Sequence, residues 1–268
     1  MLPRAKKRFG QHFLTDRHYI DRIVGAIAPK VDDVMIEIGP GPGALTAPLM
    51  ARLDHLHAVE IDRDLAAALR SRFSPGKFTM HEENVLTFDF GGLSAHFRCV
   101  GNLPYNISTP FLFHLAGFAE HLIDAVFMLQ KEVVDRMVAV PATAVYGRLS
   151  VMLQYRFAML RLFDVPPAAF TPAPKVDSAI VRLVPLRPER PKARDDSRFA
   201  ALVTAGFGQR RKTLGNTLKA FMPAEAILAQ GIDPKRRGET LSVADFIALA
   251  DASLAFPQEN LAAAESAA

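Results

Sequence analysis

The apolar positions of this chain switch between two spacings. Short solid apolar runs cover residues 34–38, 57–61, 97–101 and 124–129, and between them apolar residues recur every three or four positions. The first pattern reads as buried strands and the second as helices packed on one face. Thr15 or Asp16 caps a helix whose face is Ile20, Ile23, Val24 and Ile27, and Ser108-Thr109-Pro110 opens another at Phe111-Leu112. Residues 77–86 form a further strand with polar residues at its end, and residues 156–165 and 178–184 read as two late strands. Strands alternating with helices imply an α/β fold around a parallel sheet of right-handed crossovers. Residues 186–196, rich in Arg, Pro, Glu and Lys, interrupt the pattern and read as a linker. Beyond it the spacing is helical: Phe199, Leu202, Val203 and Gly206 share a face, then Leu214, Leu218 and Phe221, and Ser242 to Asp245 forms a capping box ahead of Phe246. The expected organisation is a large α/β domain over residues 1–186, a small helical domain over 187–257, and a disordered Ala/Glu/Ser tail over 258–268.

Composition agrees with this division. With 268 residues, half of them hydrophobic, the chain can bury a core in one large and one small domain. The single cysteine, Cys99, rules out a disulfide framework and a cysteine-built zinc site, and fits a reducing cytoplasm. No apolar signal core follows the basic start, and no uncharged apolar stretch is long enough to span a membrane. The formal net charge of +4 is compatible with nucleic acid. The cations are clustered: Arg4, Lys6, Lys7 and Arg8 at the start, Arg210-Arg211-Lys212 and Lys235-Arg236-Arg237 in the helical part. One such run is ordinarily a solvated face or a frayed terminus. Two in one small domain, beside a third at the start, favour nucleic-acid phosphates as the partner.

Candidate chemistry gathers at the strand ends. The strand 34–38 carries one acid, Glu37, and runs into Gly39-Pro40-Gly41-Pro42-Gly43 and a helix. Glycines there permit positive φ and close approach of a ligand to the backbone. Glu60 ends the next strand, about 20 residues on, where a carboxylate binds ribose hydroxyls in nucleoside-binding α/β folds. Asn84, after the third strand, has an amide suited to an adenine edge. Asn102-Leu103-Pro104-Tyr105 lies in a strand-to-helix loop and combines an amide, a stiff backbone and an aromatic ring, a set suited to gripping a base that bears an amine. Residues 9–16 are a plain lead-in or a segment folded over a ligand. Residues 166–175, with several prolines, Phe170 and Lys175, are a rigid hairpin connection or part of the site.

Together these stretches resemble the small-subunit ribosomal RNA adenine dimethyltransferases. The resemblance runs through Gln11 to Leu14, residues 37–46, 59–62, 102–110, 130–132, 146–150, 170–178, 207–218 and 237–246, in order along nearly the whole chain. It implies a Rossmann-like methyltransferase fold, S-adenosylmethionine as methyl donor, no metal, and two adjacent adenosines near the 3′ end of 16S ribosomal RNA as acceptors, within the small subunit or its precursor. A single copy of the chain is expected to act. By the resemblance, Gln11, His12, Leu14, Gly39, Gly41, Glu60, Ile61, Asn84 and Asn102 line the donor site. Asn102 with the carbonyl of Leu103 or Pro104 accepts the amine protons, and Tyr105 and Phe170 sandwich the base. Relatives usually carry Asp where this chain has Asn84, whose carbonyl would still accept the donor's adenine amine, and many carry Asn where this chain has His12. Two rival readings are a large-subunit RNA methyltransferase, against which Leu103 and residues 170–178 and 237–246 argue, and an assembly factor on the same fold without catalysis, against which the intact residues 39–43, Glu60 and 102–105 argue. A third, a nicotinamide-dependent oxidoreductase, leaves the 102–105 loop without a role.

Overall fold

A computed structural model describes residues 11–187 and 189–256. The N-terminal basic run and the tail from residue 258 lie outside these residues. The chain divides into two compact units, the first built from the chain up to Asp135 with Arg156–Leu186, the second from Arg136–Tyr155 with the chain from Arg187 onward.

In the first unit, the short strand β1 (Phe13–Leu14) leads to α1 (Arg17–Ile27), capped by Asp16, whose carboxylate accepts the His18 N–H at 2.8 Å. All four expected face residues, Ile20, Ile23, Val24 and Ile27, are buried. There follow β2 (Met35–Ile38), α2 (Thr46–Met50), β3 (Leu56–Val59), α3 (Arg63–Arg72), β4 (Phe78–His81), β5 (Phe97–Asn102), α4 (Ser108–Ala116), β6 (Leu122–Gln130), α5 (Lys131–Met137), α6 (Arg148–Gln154), β7 (Phe157–Val165), β8 (Phe170–Thr171) and β9 (Ser178–Pro185). The main sheet has seven strands in the order β4-β3-β2-β5-β6-β9-β7. β2 to β6 are parallel as expected, whereas β9 runs antiparallel to both β6 and β7. β2 lies between β3 and β5, so the connections on its two sides diverge, and the crevice at its carboxyl end is where an open α/β sheet takes a ligand. β1 pairs with β8 in a separate two-stranded clasp, Leu14 opposite Phe170.

At the opposite ends of these strands Arg98, 7% exposed, holds Asp33 and Asp124 at 2.6 Å each and donates to the Ile27 carbonyl at 2.7 Å. Two carboxylates and a carbonyl satisfy its guanidinium, the condition under which a buried cation is tolerated.

The second unit packs α6 and α7 (Asp196–Gly208), α8 (Leu214–Thr217), α9 (Ala224–Ala229) and α10 (Val243–Ser253) around Tyr146, Tyr155, Phe199, Leu202, Phe246 and Leu249. Ser242 and Asp245 form the expected capping box on α10. Residues 136–155, expected inside the first domain, belong here for a packing reason. Tyr155 stacks on Phe199 with centroids 4.0 Å apart, and the Tyr146 hydroxyl donates to the Leu241 carbonyl at 2.8 Å.

Candidate active site

The carboxyl ends of β2, β3, β4 and β5, with residues 11–14, build the pocket. After β2, Gly39 and Gly41 adopt φ of +60° and +56°, conformations that only glycine takes without strain. The Gly39 N–H reaches back to the Val59 carbonyl at 2.9 Å, tying the turn to the end of β3. Gly41 lies so close to the Phe13 ring that an added Cβ would touch it at 3.5 Å. One position that the sequence pattern did not single out is Gly101, paired with Ile38, where a Cβ would stand 2.5 Å from the Ile38 carbonyl oxygen. Its signal was present: a glycine inside an otherwise solid apolar strand marks a close backbone approach.

The pocket is lined by Gln11, His12, Leu14, Glu37, Gly39, Gly41, Glu60, Ile61, Asn84 and the whole 102–105 loop. Every predicted donor-site residue is therefore brought to one place. Glu60, 7% exposed, accepts the Asp62 N–H at 2.9 Å on one oxygen and the Gly41 N–H at 3.4 Å on the other. Burial raises its pKa against the lowering effect of these bonds. Ile61 stays half exposed at the rim. The Gln11 amide donates to Asp62 at 3.2 Å.

Glu37 stands out in the sequence only as an acid interrupting a strand. It is 2% exposed, its carboxylate takes the Thr46 hydroxyl at 2.7 Å, and burial pushes its pKa up to about 7, with the neighbouring Glu60 charge adding to the rise.

In the 102–105 loop the Asn102 amide nitrogen donates to the His12 carbonyl at 3.1 Å, so its Oδ1 is the end left as an acceptor. The Pro104 carbonyl already takes the Ile107 N–H at 3.1 Å and the Ser108 hydroxyl at 3.0 Å. Both of its lone pairs are thus engaged, and of the two carbonyls left open by the sequence Leu103 is the one that can accept a further proton. The same bond corrects the expected helix cap: the Ser108 hydroxyl serves the turn, and α4 begins at Ser108 with no side-chain cap. The Tyr105 hydroxyl shares a 2.8 Å bond with Ser178, and its ring stacks on His12 with centroids 5.8 Å apart and planes 24° apart.

Two expectations change. Phe170 is 4% exposed, packs in the core opposite Leu14 and does not line the pocket, and the ring stacked on Tyr105 is His12. Phe170 pairs with Leu14, and this clasp draws both side chains inward. Asn84 lies in the turn after β4, where its Oδ1 accepts the Leu86 N–H at 3.1 Å. Its carbonyl, expected to face a ligand amine, closes that turn, and its Nδ2, a donor, is the group left over.

In the second unit the two cationic runs lie side by side, because Leu214 N–H donates to the Arg236 carbonyl at 2.8 Å and Gly215 N–H to the Pro234 carbonyl at 3.0 Å. Arg211, Lys212, Lys235 and Arg237 are exposed there. Arg236 is half buried and bonded to the Thr240 carbonyl at 2.6 Å, and exposed Arg210 donates to the Ala144 carbonyl at 2.8 Å. Among the described residues no cluster of three or more His, Cys, Asp or Glu is arranged to hold a metal ion, and no helix is long and apolar enough to cross a membrane.

This crevice, with a glycine turn on one side and an Asn-Leu-Pro-Tyr loop on the other, matches one family over most of the chain. The family described as Ribosomal RNA adenine dimethylase matches residues 3–253. The chain belongs to this family. A Ribosomal RNA small subunit methyltransferase A from Aromatoleum aromaticum is 60% identical, covering 92% of this chain and 93% of that protein. One of the same name from Thiobacillus denitrificans is 57% identical, covering 91% and 96%. Among solved structures, a dimethyladenosine transferase from Plasmodium falciparum aligns with a TM-score of 0.78 at 25% identity over 89% of this chain and 96% of that one. The 23S rRNA methyltransferase ErmE aligns with 0.68 at 27% over 90% and 98%. The Rossmann-like fold is that of the family, and this ribosomal RNA adenine dimethylase is an enzyme with S-adenosylmethionine as its methyl donor.

Two outcomes follow from the pocket's polar groups. Glu37 keeps its proton in the folded chain to about pH 7, whereas the unfolded chain releases it near the ordinary value of 4.5. Stability from this residue is thus full below about pH 4.5 and falls as pH rises toward 7. Glu37→Gln should raise unfolding free energy by ~3 kcal/mol at pH 8 and scarcely alter it at pH 4. Urea titrations at both pH values check this, and an equal effect at both would contradict it. Asn84→Asp should keep the turn with one carboxylate oxygen and offer the other to the adenine amine of the donor. Calorimetry should show donor binding tighter by roughly 1.5–3 kcal/mol, the range for a hydrogen bond to a charged group, since the Nδ2 of Asn84 offers that amine no acceptor. Unchanged or weaker binding would place Asn84 away from that amine.

Proposed function

We propose that this dimethylase transfers methyl groups to the exocyclic amines of two adjacent adenosines near the 3′ end of 16S ribosomal RNA, in the small subunit or its precursor, acting as a single copy in the cytoplasm. The small subunit is favoured because relatives bearing that name are 51–60% identical, against 27% for the 23S enzyme. The observation that carries the mechanism is the polarity of the 102–105 loop. Asn102 Oδ1 and the Leu103 carbonyl are the acceptors it offers, because the Asn102 nitrogen and the Pro104 carbonyl are already committed.

An adenine amine is a poor nucleophile, since its lone pair is delocalised into the ring. Two acceptors that draw on its two N–H groups turn the nitrogen toward tetrahedral geometry and localise that pair. No residue of the loop is a general base. Placement supplies the acceleration, which for well-oriented partners reaches about 7–11 kcal/mol. The target base must leave its stack to enter the crevice, and the Tyr105 ring offers it a face.

The residues present fit the donor. Each Glu60 oxygen keeps a lone pair beyond its backbone bond for ribose hydroxyls, the turn at Gly39 and Gly41 lets the backbone close on it, Ile61 offers an apolar edge and Asn84 the polar one, and Gln11 to Leu14 cover it. When bound, S-adenosylmethionine supplies an electrophilic methyl group on a sulfonium sulfur. Asn102 is neutral, so it adds no charge beside the sulfonium.

Asn102→Ala should abolish transfer with the fold intact. Single-turnover methylation of small subunits at saturating donor and RNA measures it; retention of more than about a tenth of the wild-type rate, roughly 1.4 kcal/mol of barrier, would remove Asn102 from this role. Replacing Arg211, Lys212, Lys235 and Arg237 by Ala should weaken subunit binding and flatten its salt dependence, by about 0.7–0.9 in logarithmic slope for each phosphate that is no longer neutralised. Donor affinity should hold, since all pocket residues belong to the first unit. An unchanged salt slope would make the cluster mere solvated surface.

A further inference from the structure

The segment between β7 and β9 has a use that its prolines do not announce. Where it enters β9 it meets the 102–105 loop at Ser178, whose hydroxyl lies 2.8 Å from the Tyr105 hydroxyl. Ser178 is fully buried and is the first residue of β9. Its backbone is held from both sides, opposite Gln130 in β6 and opposite Val165 in β7. The adjoining Asp177 carbonyl takes the Lys131 N–H at 2.9 Å. A hydroxyl mounted on such a backbone has little freedom, and it is a fixed point for whatever binds it.

The same segment reaches Tyr105 a second time. The Pro172 carbonyl stands 2.8 Å from Nδ1 of His12. A carbonyl can only accept, so that nitrogen carries the proton and the imidazole is fixed in orientation. That imidazole is the ring stacked on Tyr105. Thr171, next to Pro172, is paired with Phe13, next to His12, so the clasp holds both ends of this contact. Residues 170–178 therefore restrain the Tyr105 ring at its hydroxyl and, through His12, at one face. The other face has no stacked ring against it among the described residues. Burial raises the Tyr105 pKa, so the hydroxyl stays neutral and able to share the bond.

We propose that Ser178 is a positioning residue for methyl transfer: by binding the Tyr105 hydroxyl it sets the plane of the ring against which the target adenine stacks. This rests on the reading that the 102–105 loop receives that base. A stacked base copies the tilt of its platform, and the direction of its amine toward Asn102 Oδ1 and the Leu103 carbonyl follows. Loss of the bond leaves the ring in place but lets its plane wander, and a misplacement of this kind lowers the rate of the bound complex more than its formation.

The test is a double-mutant cycle with Ser178→Ala, Tyr105→Phe and the two combined, read as kcat and RNA KM for small subunits at saturating donor, with thermal melting of each protein. Both single variants keep the ring and remove the bond. Each should lower kcat about tenfold, the effect of roughly one buried hydrogen bond on a barrier, with KM changed less than about twofold. The combined variant should match the singles, because the same bond is missing in all three. Wild-type kcat in either single variant, or losses that multiply in the combined one, would overturn the proposal, as would a Ser178→Ala protein that melts lower with kcat intact. Tyr105→Ala separates the two readings: if it too leaves kcat unchanged, the placement of the base at this loop is what fails.

Discussion

The first unit depends on how closely β2 and β5 approach. Their carboxyl ends carry the two halves of the crevice, the glycine turn after Ile38 and the Asn102 loop after Gly101. Ile38 and Gly101 are paired, and the space between them is so small that a Cβ at 101 would press on the Ile38 carbonyl. A methyl group there would force the strands apart or shift their register, and Asn102 would move with β5 relative to the glycine turn. Positioning catalysis tolerates little such movement. The Arg98 network works toward the same end from the far side of the sheet, where it ties Asp33 ahead of β2, Asp124 in β6 and the Ile27 carbonyl to the start of β5.

Charge in the crevice is kept low by burial rather than by omitting acids. Glu37 and Glu60 both line it, and both are raised above the usual carboxylate range, chiefly because water is excluded. Two full charges this close would repel each other in a poorly screened space. A protonated Glu37 leaves Glu60 as the acceptor toward the pocket, with its two backbone N–H bonds offsetting part of the burial cost. Among residues 102–105 Tyr105 alone is ionisable, and burial raises its pKa, so the loop presents neutral acceptors whose lone pairs have set directions.

The second unit shows the same reliance on close backbone contact. Gly238, just after Arg237, lies against the backbone of Gly206 in α7 so tightly that no Cβ fits. This holds the second cationic run, and the ladder bonds at Leu214 and Gly215 hold the first beside it. Cations that look alike within the second run differ in use: Arg236 is turned inward to serve the Thr240 turn, while Arg237 and Lys235 point their charge to solvent.

The sequence by itself determined what is local. Hydrophobic spacing specifies β2 to β6, the α1 face and the α10 cap, because strand and helix periods and capping are properties of neighbouring residues. That Gly39, Gly41, Glu60 and Asn102 would line one pocket was legible, since each sits at a strand end, where the connection rules of parallel sheets put crevices. Tertiary structure alone decided the rest, since it depends on pairs far apart in the chain. Residues 136–155 joined the second unit because Tyr146 and Tyr155 find their partners at Leu241 and Phe199. The pairing of Phe170 with Leu14 and the stacking of His12 on Tyr105 join residues about 90 to 160 positions apart. The choice between the Leu103 and Pro104 carbonyls turned on hydrogen bonds to Ile107 and Ser108 within one turn. Lone pairs are allotted by three-dimensional contacts, and no spacing in the chain records which of them is already taken.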